Sequence, residues 1–238
     1  MNLHARRKPL INHEINEKNM TNVDHYSISE VNENATFYVN IERSSPSQSE
    51  CNIFRNKQKI FSFSTDFFPD FNVLNACYSI CLLLDQDFFN FQKIDFERLS
   101  LPPGRNNIFI TDQKMIVIDF AHNPNALELF VSSYQSAYKG IWTLFGCGGN
   151  RDKFKRNKMF KVAKRYSQKI FITSDNSRFE NFNSIVKDML GEDRFDNLEV
   201  IKDRDSAIKI AIDSLPKNVP LLILGRGHEE TLNLGQNI

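Results

Sequence analysis

Three glycines fall within four positions in FGCGGNRDKFKR, residues 145–156, and a guanidinium follows them. Glycine is kept where the backbone takes positive φ or where something packs close against it. Gly146, Gly148 and Gly149 therefore either build an awkward turn or let a ligand reach the main chain. Arg151 stands just before a basic helical pattern, where helix dipole and guanidinium together favour an anion. TSDNSR supplies Asp175, Asn176 and Arg178; LGRGHEE supplies Gly225 and Glu229; VIDFAHNPN supplies Asp119, Phe120 and His122. His228 and Glu229 do not make the HExxH of a zinc hydrolase.

Each of these residues also has a plainer use. Asp119 and His122 could cap a helix that starts at Pro124, and Asp175 and Asn176 also suit an N-cap. The glycines could make a tight turn, and Arg178 could be a solvated surface charge. The basic run Lys153, Lys155, Arg156, Lys158, Lys161, Lys164 and Arg165 reads as a mostly solvated helix face.

Their positions argue for more. After residue 108 the apolar runs MIVIDF, IWTLF, KIFIT, LEVI and PLLIL alternate with four helical patterns. The first helix starts at Asn123-Pro124, an N-cap followed by the proline suited to the first helical position. The second carries Met159, Val162, Ala163 and Tyr166 on one face. The third runs from about Asn181 to Leu190, and the fourth starts near Asp205 with Ala207, Ile208, Ala211, Ile212 and Leu215. Short apolar strands alternating with amphipathic helices predict an α/β fold, a Rossmann-like and mainly parallel sheet flanked by helices. Every polar or glycine-bearing turn then follows a strand, at the carboxyl edge where open sheets bind ligands. Five such turns on one edge favour a site assembled from separate loops.

The rest of the chain sets bounds. With 41% hydrophobic and 25% charged residues and a net charge of +1, the composition is that of an ordinary globular protein, with no general case for nucleic acid or a membrane surface. The first residues lack a secretory apolar stretch, and CYSICLLL is too short to span a bilayer. Four cysteines without a CxxC pair argue for a reduced, cytoplasmic protein with no metal site. Cys77 and Cys81, four apart in the helical stretch FNVLNACYSICLLLDQ with Leu74 and Tyr78, read as two packed thiols on one face. Residues 11–56 are polar, with one strand-like stretch, TFYVNIE, before the loop SSPSQSE; KIFSFS is a further strand candidate. LSLPPGRNN marks a boundary.

In their order, FNVLNA, PPGR, VIDFAHNPNAL, FGCGGNRDKFKR, TSDNSR, DRDSAI and LGRGHE resemble the motifs of the Mur ligases of peptidoglycan synthesis. Within that family they resemble the type that adds diaminopimelate or lysine to UDP-N-acetylmuramoyl-L-alanyl-D-glutamate. The resemblance covers about residues 60 to 238. AHNP also occurs in folylpolyglutamate and cyanophycin synthetases, an alternative ligase reading. A non-catalytic binding domain that kept the fold is another.

The resemblance implies residues 1–107 as the end of a central ATPase domain, its first 56 or so loosely held, and residues 108–238 as a slightly truncated C-terminal domain. It implies a nucleotide site with Asn72 and Asn75 at adenine, Arg105 and Asp119 nearer ribose and phosphates, and Phe120 and His122 beside them. It implies that Arg151, Asp175, Asn176, Arg178, Gly225 and Glu229 hold the incoming amino acid. Guanidinium groups suit the carboxylates of a diamino diacid, and Glu229 its far ammonium. Arg178 matches the arginine of a DNPR motif that goes with diaminopimelate; here serine replaces the proline. Family chemistry uses ATP and Mg2+ to make an acyl phosphate, which needs a GxxxxGK[ST] loop. None of the nine glycines here precedes a lysine. The chain is therefore expected to be a fragment of an ADP-forming ligase, inactive alone and a weak binder of ATP and Mg2+: either the inert product of a split or decaying gene, or the partner of a separately encoded N-terminal half in acting on UDP-N-acetylmuramoyl dipeptide and a diamino acid.

Overall fold

The computed structural model describes residues 10–12, 26–84, 99–229 and 231. The chain divides into two compact units, residues 1–100 and 101–238.

In the first unit, strands β1 (Leu10–Asn12), β2 (Tyr26–Ser29), β3 (Phe37–Ser44), β4 (Ser49–Arg55) and β5 (Gln58–Thr65) precede helix α1 (Asp70–Leu84). The sheet runs β1-β2-β3-β4-β5, its first two pairings parallel and the others antiparallel. TFYVNIE and KIFSFS lie in β3 and β5, as the patterning predicts. The structure adds β1, β2 and β4 in the stretch read as polar; in β4 the buried positions include Ser49, Cys51 and Asn52, which do not read as an apolar run. Ser49 is satisfied there by donating from Oγ to the Phe67 carbonyl at 2.7 Å. Phe37, Val39 and Ile53 are fully buried, so residues 26–56 contribute to this core; residues 13–25 lie outside the described ones. Helix α1 buries Val73, Cys77, Ile80 and Cys81, whereas Leu74 and Tyr78 are only half-buried. The Cys77 thiol lies 3.1 Å from that of Cys51.

The second unit opens with the hairpin β6 (Asn107–Thr111) and β7 (Lys114–Asp119). Then come α2 (Pro124–Ala137), β8 (Trp142–Phe145), α3 (Phe154–Tyr166), β9 (Lys169–Ile172), α4 (Phe182–Leu190), β10 (Leu198–Val200), α5 (Arg204–Ser214) and β11 (Leu221–Leu224). The sheet order is β10-β9-β8-β11-β7-β6, parallel except for β6 with β7. All five apolar runs are strands and all four helical patterns are helices. Strand β6 is the addition; its turn residues Asp112 and Gln113 both take positive φ, 49° and 65°, as a tight hairpin turn needs, without the glycine that would have signalled it.

Right-handed crossovers decide which face each helix covers. From β7 to β10 the chain advances in one direction, which puts α2, α3 and α4 together on one face, and these helices pack in series. The return from β10 to β11 reverses direction and sends α5 to the other face, where Ala207, Ala211 and Leu215 meet Ile116, Trp142, Leu144, Phe171, Leu221 and Ile223. The alternate strand residues, Val117, Phe145, Ile170, Ile172, Leu222 and Leu224, are buried toward α2–α4 with Leu127, Phe130, Phe160 and Met189. Each such side chain stabilises the unit by about 1.5–3 kcal/mol through burial. The same parallel arrangement delivers the ends of β7, β8, β9, β10 and β11 to one edge.

Candidate functional site at the carboxyl edge

The glycine question is answered by close approach. None of the three glycines has positive φ. A Cβ on Gly146 would run into the Thr173 carbonyl, and one on Gly149 into the Ser177 carbonyl. The loop after β8 therefore lies directly on the loop after β9, backbone against backbone. Gly149 N–H donates to the Asn176 carbonyl at 2.9 Å and seals that contact.

Two groups of residues gather on this edge. In the first, Arg151 and Arg178 flank Gly148: a Cβ there would lie 3.2 Å from Arg178 Nη1 and 3.8 Å from Arg151 Cγ. Arg178, at φ 50°, donates from Nη1 to the carbonyls of Gly149 and Asn176 at 2.9 and 3.1 Å. Asn176 donates from Nδ2 to Glu229 at 3.1 Å, and its own N–H donates to Asp175 Oδ1 at 2.6 Å. Gly225 (φ 103°) brings its backbone beside Asp175, where a Cβ would lie 3.4 Å from the carboxylate. The six residues that the resemblance assigns to an amino acid thus form one connected set at this edge.

The second group comprises Arg105, Asp119, Phe120 and His122. The Arg105 guanidinium sits over the Phe120 ring at 4.8 Å, and His122 meets the same ring edge-on at 4.8 Å. Asp119 is buried and accepts from the N–H groups of Asn106 and Ala121 at 2.9 and 2.8 Å. Burial pushes its carboxyl up from the ordinary range, against those hydrogen bonds and Arg105. Asp119 thereby ties the PPGR turn to the end of β7. Gly104 and Gly227 let that turn press against the loop after β11. The two groups adjoin, since Gly225 N–H donates to the Asp119 carbonyl at 3.1 Å. Asn72 and Asn75, expected at adenine, belong to the first unit. Asn72 is buried and donates to the Phe68 carbonyl at 2.9 Å; Asn75 is exposed near the start of α1.

The plainer uses mostly fall away. The cap of α2 is Asn123, accepting from Ala126 N–H at 3.0 Å, so neither Asp119 nor His122 caps it. The cap of α4 is Asn181, so Asp175 and Asn176 lie in a loop and not at a helix start. The basic run is a partial correction: Lys161 and Lys164 lie near Asp193, but Arg156 is fully buried, and Lys155 reaches the His122 carbonyl at 2.7 Å.

Three residues of the site carried no role in the sequence reading. Arg226, buried, lies 3.5 Å from Asp175 and 3.4 Å from Glu229. Arg204, the first residue of α5, is buried beneath the edge and donates to the carbonyls of Ser174 and Leu224 at 3.3 Å each. Burial pulls its guanidinium down to about 10, with Asp175 opposing. His228 stacks on Phe120 at 5.9 Å. DRDSAI and LGRGHE were visible as motifs, but an arginine beside a strand end does not announce that it is buried. Among the described residues, no group of three or more His, Cys, Asp or Glu could hold a metal ion, and no helix is long and apolar enough to cross a membrane.

Comparison with known proteins gives the family and the fold. The family model described as Mur ligase, glutamate ligase domain, matches residues 104–227. The chain is 39% identical over 172 residues to UDP-N-acetylmuramoyl-L-alanyl-D-glutamate–2,6-diaminopimelate ligase of Wigglesworthia glossinidia brevipalpis, covering 70% of this chain and 34% of that protein. It is 35% identical over 215 residues to the ligase of the same name from Prochlorococcus marinus subsp. pastoris, covering 85% and 41%. A solved structure of a ligase of that name superposes with a TM-score of 0.61 at 28% identity, over 92% of this chain and 46% of the other. MurF ligase from Thermotoga maritima in complex with ADP shares the fold, with a TM-score of 0.65 at 11% identity, over 93% and 51%. The chain spans 34% and 41% of the length of these two curated relatives.

Proposed function

We propose a function from one premise: this chain belongs to the Mur ligase family. On that premise the carboxyl edge of the second unit is the amino-acid site of an ATP-dependent amide ligase of cytoplasmic peptidoglycan-precursor synthesis, and its substrate is a diamino diacid of the diaminopimelate kind. The observation that carries this is the pair of guanidinium groups, Arg151 and Arg178, that flank Gly148, joined through Asn176 to Glu229, an exposed carboxylate that also meets Arg226. A diamino diacid has two carboxylates for the two guanidinium groups and a far ammonium for Glu229. Lysine lacks the far carboxylate and leaves one guanidinium without its partner.

In the reaction so assigned, the amine of the bound amino acid attacks the acyl phosphate of the UDP-muramoyl dipeptide. The C–N bond forms, the C–O bond to phosphate breaks, phosphate leaves, and the amine gives up a proton. This chain's residues bind and orient the amine. The second group, with His228, supplies part of a nucleotide wall: Arg105 is the cation for phosphate, held over the Phe120 ring against which His122 and His228 pack. ATP supplies the phosphoryl group when bound. Among the described residues no group of three or more His, Cys, Asp or Glu offers magnesium a ligand cluster. These 238 residues hold no GxxxxGK[ST] loop, so the activity assigned here needs a partner segment or a separately encoded half that carries one. The first unit is then the end of the central ATPase domain.

Calorimetric titration of the purified chain with diaminopimelate and with lysine tests the reading. Diaminopimelate is expected to bind more tightly, and Arg178→Ala to abolish the preference. Removing one partner of such a charge pair costs about 2–5 kcal/mol. Equal binding of the two amino acids, with Arg178→Ala silent, refutes the assignment.

A further inference from the structure

Arg156 is the largest fully buried side chain in the described structure, and it lies outside both groups at the edge. Its guanidinium donates from Nη1 to Glu180 Oε1 and Asp188 Oδ2, both at 2.7 Å, and from Nη2 to Glu180 Oε2 at 2.7 Å and the Gly148 carbonyl at 2.9 Å. Glu180 closes the circuit by accepting the Asn150 N–H at 2.9 Å. The carbonyl of Gly148 and the amide of Asn150 are thus pinned on either side of Gly149, and Arg151 follows directly. Glu180 itself ends the turn that carries Arg178, with its own N–H donating to the Ser177 carbonyl at 3.0 Å. A bidentate guanidinium–carboxylate pair is planar and directional, so it fixes orientation as well as distance.

We propose that the Arg156–Glu180 pair is a positioning strut that locks the loop after β8 to the loop after β9, and so sets the spacing of Arg151 and Arg178 for the two carboxylates of the amino acid. The ligand assignment within this inference rests on the function proposed above; the strut itself does not. Neither residue is among the six assigned to the ligand. Asp188, on α4, is the internal control: it accepts from the same guanidinium but holds no part of either loop.

The experiment compares the full chain with Glu180→Gln and Asp188→Asn, each exchanging one carboxylate of Arg156 for an amide. Backbone amide hydrogen exchange is followed by NMR at Gly149 and Asn150, and affinity by titration with diaminopimelate. With the strut, Glu180→Gln accelerates exchange at both amides and weakens diaminopimelate by about tenfold or more, the consequence of misplacing positioning groups. Asp188→Asn keeps both the protection and the affinity. A merely structural pair would move the two variants together, in proportion to their melting temperatures; that result, or unchanged exchange at Gly149 and Asn150 in Glu180→Gln, overturns the proposal. Selective loosening of the loops in a chain whose wild type ignores diaminopimelate upholds the strut and removes the substrate reading instead.

Discussion

Replacing Arg156 by methionine tests how much of the second unit's stability rests on one guanidinium. Methionine fills much of the volume and leaves the carboxylates behind. Breaking a buried ion pair by removing one member costs about 3–5 kcal/mol, because the other charge stays buried. The Arg156 side chain is 0% exposed and that of Glu180 is 12%, so the full range applies to that pair. Asp188 is 36% exposed and returns to water, so it adds little. Glu180 keeps the Asn150 N–H at 2.9 Å and Lys153 at 3.3 Å. Together these bring the expected loss to about 2–4 kcal/mol. For a unit of this size that lowers the melting temperature by about 10 °C. Trp142, the one tryptophan, is buried in β8, so its fluorescence in urea follows this unit alone.

The pH dependence sharpens the test. The Arg156 hydrogen bonds, with the Asn150 N–H, lower the Glu180 carboxyl from 4.5 to about 2. A folded value depressed in this way contributes stability above the unfolded value, and that stability is lost as the pH falls through the folded one. The gap between wild type and Arg156→Met is therefore expected to be full above about pH 5 and to narrow toward about pH 2. A gap under about 1 kcal/mol at neutral pH, or one that stays constant down the acid limb, refutes the reasoning.

The remaining expectations are more direct. Gly149→Ala forces a Cβ into the Ser177 carbonyl and is expected to cost about 1–3 kcal/mol or more, whereas Gly148→Ala meets only the movable end of Arg178; urea midpoints that rank the two the other way contradict the packing. All four cysteines are buried, and burial pushes the thiols of Cys81 and Cys147 up to about 12. A chromogenic disulfide reagent is therefore expected to titrate essentially no thiol in the native chain and all four in denaturant; rapid native labelling would contradict the burial. The purified chain is expected to release no ADP from ATP, because no phosphate loop is present to stabilise the transferring group. Steady release that depends on the UDP-muramoyl dipeptide and diaminopimelate counts against this.

The alternation of apolar runs and amphipathic helices was enough to read the second unit as a mainly parallel sheet with its charged turns on one edge. Period and punctuation are local properties: Asn123-Pro124 starts a helix wherever it occurs, and a buried parallel strand is apolar on both faces. The set Arg151, Asp175, Asn176, Arg178, Gly225 and Glu229 came from the resemblance of the motifs to those of the Mur ligases; residue type and position after a strand marked only the loops that carry them. Strands β1, β2, β4 and β6 were not read: β1 and β2 are only three and four residues long, serine and cysteine fill buried positions of β4, and the turn after β6 has no glycine. Only the tertiary structure showed why the glycines are there, since the carbonyls they accommodate, those of Thr173 and Ser177, lie more than twenty residues along the chain. Only it separated Arg156 from the lysines around it, because burial depends on what α4 and the loop after β9 bring to that point. A basic residue on a helix reads the same whether it faces water or two carboxylates, and the difference is made by chain segments that are distant in sequence.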